Sequence, residues 1–220
     1  MHDNSIRLGV LAIPVYGLLV FLSTLSHQPD YRTDFHAYAE YVTTSSFLVS
    51  HLVGSIVGTT IGLVGVLALG VVLAATAERR LALRGLVLSV AGMAFIMTLF
   101  GAATFAQPAI GRAYLAGQQT AVAINSDLYG APAVVVGLTG GLLYSAGSAL
   151  LGVALWRAGR LPRWTGALYA VAVPLISIIG LVVGVAQPIG AVLIIISGAW
   201  IASTVWARPV RAHAARSVGS

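Results

Sequence analysis

Six apolar runs, at about residues 8–25, 46–77, 85–106, 128–156, 164–186 and 189–206, constrain this chain more than any other feature. Each reaches the roughly 18 residues that a helix needs to cross a hydrocarbon core about 30 Å thick. Only 8% of the residues are charged, whereas a soluble domain carries about a quarter. So few charges cannot coat a water-facing surface. Inside lipid every backbone N–H and C=O must be bonded within the protein, so runs of this length are read as helices. The expected fold is all-α: a polytopic membrane protein with six transmembrane helices and the lipid bilayer as its first partner. The first run, LGVLAIPVYGLLVFLSTL, follows MHDNSIR, which has no clear positive excess, and no A-x-A-like site comes after it. It is therefore expected to be a retained helix rather than a signal peptide.

All twelve basic residues are arginine, and the chain has no lysine or cysteine. That excludes a lysine Schiff base, disulfides and thiolate metal sites. The formal charge of +6 matters less than where the arginines lie. Arg7, Arg79, Arg80, Arg84, Arg157, Arg160, Arg163, Arg208, Arg211 and Arg216 fall at one set of run ends, and only Arg32 and Arg112 at the other. The positive-inside rule then puts both termini in the cytoplasm. Trp156, Trp164 and Trp206 mark the inner boundary, and Tyr31, Tyr38, Tyr41, Tyr114 and Tyr129 the outer one, as interfacial aromatics would. With its Arg-only, Ala/Val/Gly-rich composition, the expected location is a bacterial inner membrane, with no nucleic-acid partner.

A Gln-Pro pair recurs at Gln28-Pro29, Gln107-Pro108 and Gln187-Pro188, each reading as a helix stop. Each copy opens on an Arg with a nearby Gly, and Pro14 and Pro174 occupy matching places in the first and fifth runs. Three tandem helical hairpins are expected, at about 7–77, 84–156 and 163–206, within one domain over residues 1–206. A basic cytoplasmic tail, 207–220, follows. Gly54, Gly58 and Gly62, and likewise Gly137, Gly141 and Ser145, form small-residue stripes that let helices approach closely within the bundle.

The densest polar stretch is SHQPDYRTDFHAYAEY, residues 26–41. Within it Phe35, Tyr38, Ala39 and Val42 share one helical face and His36 and Glu40 the other, which predicts a short helix in the outer interface. A second such helix is expected over residues 112–122, interrupted by Gly117. His36 and Glu40 stand at i, i+4, a metal-pair spacing. His51 would join them only if the chain turned at Thr43–Ser46, because 15 residues of continuous helix separate His36 from His51 by roughly 22 Å. Solvated interfacial residues are the first expectation, and a metal site at His36, Glu40 and His51 the alternative. His27, Asp30 and Asp34 are further candidates for outer-face binding. No cofactor other than such a metal is expected. No ionisable residue falls near midplane, which argues against a carboxylate-driven pump; the polar groups there are Tyr16, Thr59, Thr60, Thr98, Tyr144 and Ser177.

The DFHAYAEYVTTSSFLVSHLVG region and the WRAGRLPRWTG connector, above all Leu161-Pro162-Arg163-Trp164-Thr165-Gly166, resemble small six-helix bacterial membrane proteins grouped in families of unknown function. The resemblance implies topology alone. The expected role is a non-enzymatic accessory or binding protein, using its outer cap or inter-helix grooves for a lipid, a small hydrophobic molecule, a membrane protein partner or a second copy. A transporter for a neutral or hydrophobic solute is the alternative, and an outer-face metal-binding protein or metalloenzyme the third.

Overall fold

The computed structural model describes residues 3–26, 28–159 and 163–207. His27, the Leu161-Pro162 step and the basic tail from residue 208 lie outside them. The elements are α1 (Asp3–Ser23), α2 (Phe35–Val42), α3 (Ser45–Val49), α4 (Gly58–Ala74), α5 (Arg79–Leu115), α6 (Thr120–Leu128), α7 (Ala131–Arg157), α8 (Arg163–Ser177) and α9 (Ala186–Trp206). A π-helical stretch, Ser50–Val57, joins α3 to α4, and a 3-10 turn, Ile179–Leu181, follows α8. Among the described residues six helical segments are long and apolar enough to cross a membrane. They are Asn4–Ser23, Ser45–Ala74, Arg79–Leu115, Thr120–Arg157, Arg163–Leu181 and Ala186–Trp206, matching the six apolar runs.

The six spans form a closed ring in chain order, with α1 packed against both α4 and α9, α5 against α4 and α7, and α8 against α7 and α9. Small residues make the closure tight. A Cβ built at Gly9 would lie 2.7 Å from Ala68 Cβ across the α1–α4 seam, and one at Gly198 would lie 2.7 Å from the Pro14 nitrogen across the α1–α9 seam. The Gly54–Gly62 stripe also faces α1, meeting Ser23, Leu19 and Tyr16, so it serves packing within the molecule. Turns alternate between two ends of the ring. The basic end holds Arg79, Arg80, Arg84, Arg157 and Arg163, and there Trp206 Nε1 donates to the Arg7 carbonyl at 3.2 Å. The opposite end is capped by α2 and α6.

The Gln-Pro pairs do not act as a common helix stop. Gln28-Pro29 lies in the loop after α1, where Ser23, Thr24 and Ser26 hydroxyls already turn back to carbonyls of Val20, Phe21 and Ser23. Pro108 sits inside α5, which continues to Leu115. Its lost hydrogen bond and ring clash cost about 3 kcal/mol in a helix interior. Packing of the following residues offsets that cost: Ile110 and Gly111 are buried, and Tyr114 meets Phe35 edge-on at 4.8 Å. Pro188 falls in the first turn of α9, where an N–H has no intrahelical partner and proline costs no bond. The fifth run likewise ends earlier than expected, with α8 stopping at Ser177 and the turn to α9 made by residues 178–185.

At 37 residues, α5 is about 55 Å long, well beyond the hydrocarbon thickness. Its overhang is the post on which α2 rests. The second interfacial helix begins later than expected: α5 runs through Arg112, Gly117 turns the chain at φ +91°, and α6 starts at Thr120.

Candidate functional site

The cap is built first from α2. Asp34 starts it by accepting from the Ala37 N–H at 2.9 Å, an N-cap that satisfies one orphan donor of the first turn. Its expected inner face is observed, with Tyr38, Ala39 and Val42 fully buried. Tyr38 Oη donates to Asn125 Oδ1 on α6 at 3.0 Å, tying the two short helices together. Burial, then the neighbouring Tyr129 and Tyr31 phenols, hold the Tyr38 hydroxyl above its ordinary pKa, so it stays a neutral donor. The outer tyrosines, expected as interfacial aromatics, also pack on one another, Tyr31 lying 5.8 Å from Tyr38 and 5.9 Å from Tyr129, while Gln107 Nε2 on α5 donates to the Tyr129 hydroxyl.

The chain does turn where the hydroxyl cluster suggested. Helix α2 ends at Val42, and Thr44 caps α3 by accepting from the Phe47 N–H at 3.2 Å. His36 and Glu40 pair at 3.4 Å on the solvent face, each about two-thirds exposed (63% and 64%). His51 goes elsewhere. Its ring stacks on Phe47 at 4.0 Å, and its Nδ1 lies 3.1 Å from the Phe47 carbonyl. Among the described residues no three His, Asp or Glu side chains gather. The other acidic candidates are engaged in local structure, Asp34 as the α2 cap and Asp30 in a turn that accepts from the Arg32 N–H at 2.9 Å.

What the turn does produce is a cavity of about 650 Å³ inside the ring. Its mouth at the capped end is bordered by Ser26, Gln28, Tyr41, Ser50, His51 and Gln187. Below these, Val20, Ile96, Leu99, Phe100 and Ile176 form an apolar barrel, and Tyr16, Thr59, Met93 and Tyr144 form the floor. On α1 the seven helical steps from Tyr16 to Ser23 set the depth at about 10 Å. The Tyr16 and Tyr144 phenols neighbour each other at the floor. Among the described residues no Asp, Glu, Lys or Arg lines the cavity, and His51 is the one imidazole there. Beneath the floor the ring is closed by glycine contacts, such as Gly65 against Ile13 and Gly85 against Leu151, whose built Cβ atoms come within 2.8 and 2.9 Å.

Of the six midplane polar residues, Tyr16, Thr59, Tyr144 and Ser177 line this cavity. Thr60 and Thr98 are exposed on the ring's outside and donate to their own helix carbonyls at 2.9 and 2.7 Å. Tyr41, Ser50, Gln187 and Gly137 also line it, although the sequence did not mark them as cavity residues. Tyr41 is the most pointed of these, because its hydroxyl is buried and has no partner among the described residues. Comparison with protein-family models, with curated proteins and with solved structures returns no match, so no family is identified for the chain.

Proposed function

We propose that this membrane protein binds a small, neutral, amphipathic molecule in the cavity of its ring, as a binding or accessory protein rather than an enzyme. The observation that carries this is a cavity of about 650 Å³ with no formally charged residue in its wall among the described residues. A volume of that size lies within the range of pockets that bury a drug-sized ligand. It is too small for a whole two-chain lipid, holding roughly twenty water-sized volumes of about 30 Å³ each. An ion without a counter-charge would pay a large desolvation cost in such a wall. A polar mouth above an apolar barrel suits a molecule with one polar head and an apolar body of roughly ten carbons.

The carrier reading shares the same cavity, but the glycine-packed basic half favours retention over passage. The arginine distribution supports cytoplasmic termini in a bacterial plasma membrane, with the capped end outside. The hairpins α1/α4, α5/α7 and α8/α9 stand as three candidate copies on their pairing around the ring.

The test is saturable photolabelling of the protein, in phosphatidylcholine nanodiscs, by a ten-carbon methyl ether bearing a diazirine. Labels are expected on cavity residues such as Leu99 and Ile176, and unlabelled 1-decanol should displace them far better than decanoate or decylammonium. Gly137→Phe directs a ring into the cavity, where a Cβ meets only Leu99 Cδ1, at 3.0 Å; it should reduce labelling at least tenfold. Labelling that never saturates, or that favours the charged analogues, would refute the reading. Saturable exchange of the ether across proteoliposome membranes would move it to the carrier.

A further inference from the structure

Resting on that cavity, we propose that its ligand carries a hydroxyl group, an alcohol or a phenol, whose O–H donates to Nε2 of His51. The tautomer of His51 decides this. Nδ1 lies 3.1 Å from the Phe47 carbonyl, and a carbonyl can only accept, so the proton sits on Nδ1. Ser50 agrees: its hydroxyl proton goes to the same carbonyl at 2.9 Å, leaving its oxygen free to accept from Nδ1, 3.3 Å away. In a neutral imidazole the other nitrogen is then an acceptor. Nε2 has no partner among the described residues, and the side chain borders the cavity.

Phe47 fixes the two ends of the recognition pair. It stacks on His51 at 4.0 Å and meets Tyr41 edge-on at 5.7 Å. Tyr41 supplies the complementary group, a buried hydroxyl without a partner that lines the same mouth. Tyr41 donates to the ligand oxygen, and His51 accepts from the ligand proton. A hydroxyl satisfies both groups with one oxygen, whereas an ether or ketone satisfies only Tyr41. The π winding of Ser50–Val57 carries His51, and π winding inside α-helices recurs at functional sites.

The experiment uses the same photolabel, competed by two matched pairs: 1-decanol against methyl decyl ether, and 4-butylphenol against 4-butylanisole. Each hydroxyl compound should compete at about tenfold lower concentration than its ether, the scale of one added hydrogen bond. Which pair shows the larger ratio tells alkanol from phenol. His51→Phe should bring both ratios to about one, and His51→Gln, which keeps an acceptor oxygen, should retain part of the preference. Tyr41→Phe should weaken alcohol and ether alike and leave the ratio intact, because both oxygens accept from Tyr41. Equal competition by alcohol and ether in the wild type, with Gly137→Phe still blocking both, would overturn the hydroxyl assignment and leave the cavity reading standing. Absence of saturable labelling would overturn both.

Discussion

A methyl group at position 111 would lie 2.7 Å from Val42 Cγ2 and 3.0 Å from the Ala39 carbonyl, so this one glycine decides whether α2 can rest on α5. Gly111→Val is expected to push α2 outward at a cost of about 1–3 kcal/mol, the usual scale of overpacking. Hydrogen exchange of the α2 amides should accelerate while that of α7 stays unchanged. Because Tyr41 follows the buried face of α2 into the cavity mouth, ligand labelling should weaken in the same variant. The α2 face itself was legible in the sequence, since Tyr38, Ala39 and Val42 repeat at helical spacing. Its seat was not, because Gly111 carries no side chain and so no periodic signal. His36 and Glu40 were legible as neighbours for the same reason as the α2 face. The role of His51 was not, because it depends on local helix winding that its own residue type does not announce.

Proline shows the same limit at the scale of elements. A Gln-Pro pair reads identically in three places, yet it stands in a loop, inside a helix and in a first helical turn, depending on what packs behind it. The local cost at Pro108 is real, but it is small beside the burial gained by the overhang of α5. The two short helices add a second kind of dependence, since α2 and α6 are joined by Tyr38 and Asn125 across 87 residues of chain. Both side chains are fully buried, and Tyr38→Phe would leave Asn125 without its partner, at roughly 1–3 kcal/mol. The pH sign follows from the raised phenol. Below about pH 10 the group is protonated in both folded and unfolded states and its contribution is complete. As pH rises past 10 the unfolded phenol ionises first, so the cap loses stability. Protection of the α2 amides, corrected for intrinsic exchange, should therefore fall as pH rises above about 10 in the wild type. In Tyr38→Phe protection should start lower and lose most of that dependence. A wild-type cap with unchanged protection across this range would rule out the Tyr38–Asn125 bond as the tie between α2 and α6.

At the scale of the whole molecule, hydropathy alone gave six spans, because lipid imposes a length and an apolar face on every crossing. Ring closure needed more than hydropathy: it rests on Gly9, Gly65, Gly85 and Gly198 meeting particular partners, contacts that no single segment encodes. The cavity follows from closure at one end and a bend at the other, which is why its lining could be guessed for Tyr16, Thr59, Tyr144 and Ser177 by depth but not for Tyr41 or Gln187. A one-ended cavity also makes orientation a functional matter, since the mouth samples only the compartment that the capped end faces. On the proposed orientation, with the basic end in the cytoplasm, the ligand should arrive from outside or from the outer leaflet. The absence of cysteine from the sequence makes the check clean. Thr33→Cys at the capped end and Ala77→Cys at the basic end both replace exposed residues in turns. A membrane-impermeant maleimide should label Thr33→Cys in intact cells or spheroplasts and Ala77→Cys only after lysis. The reverse pattern would point the mouth at the cytoplasm and make the ligand an intracellular one, with the hydrogen-bonding logic of Tyr41 and His51 unchanged.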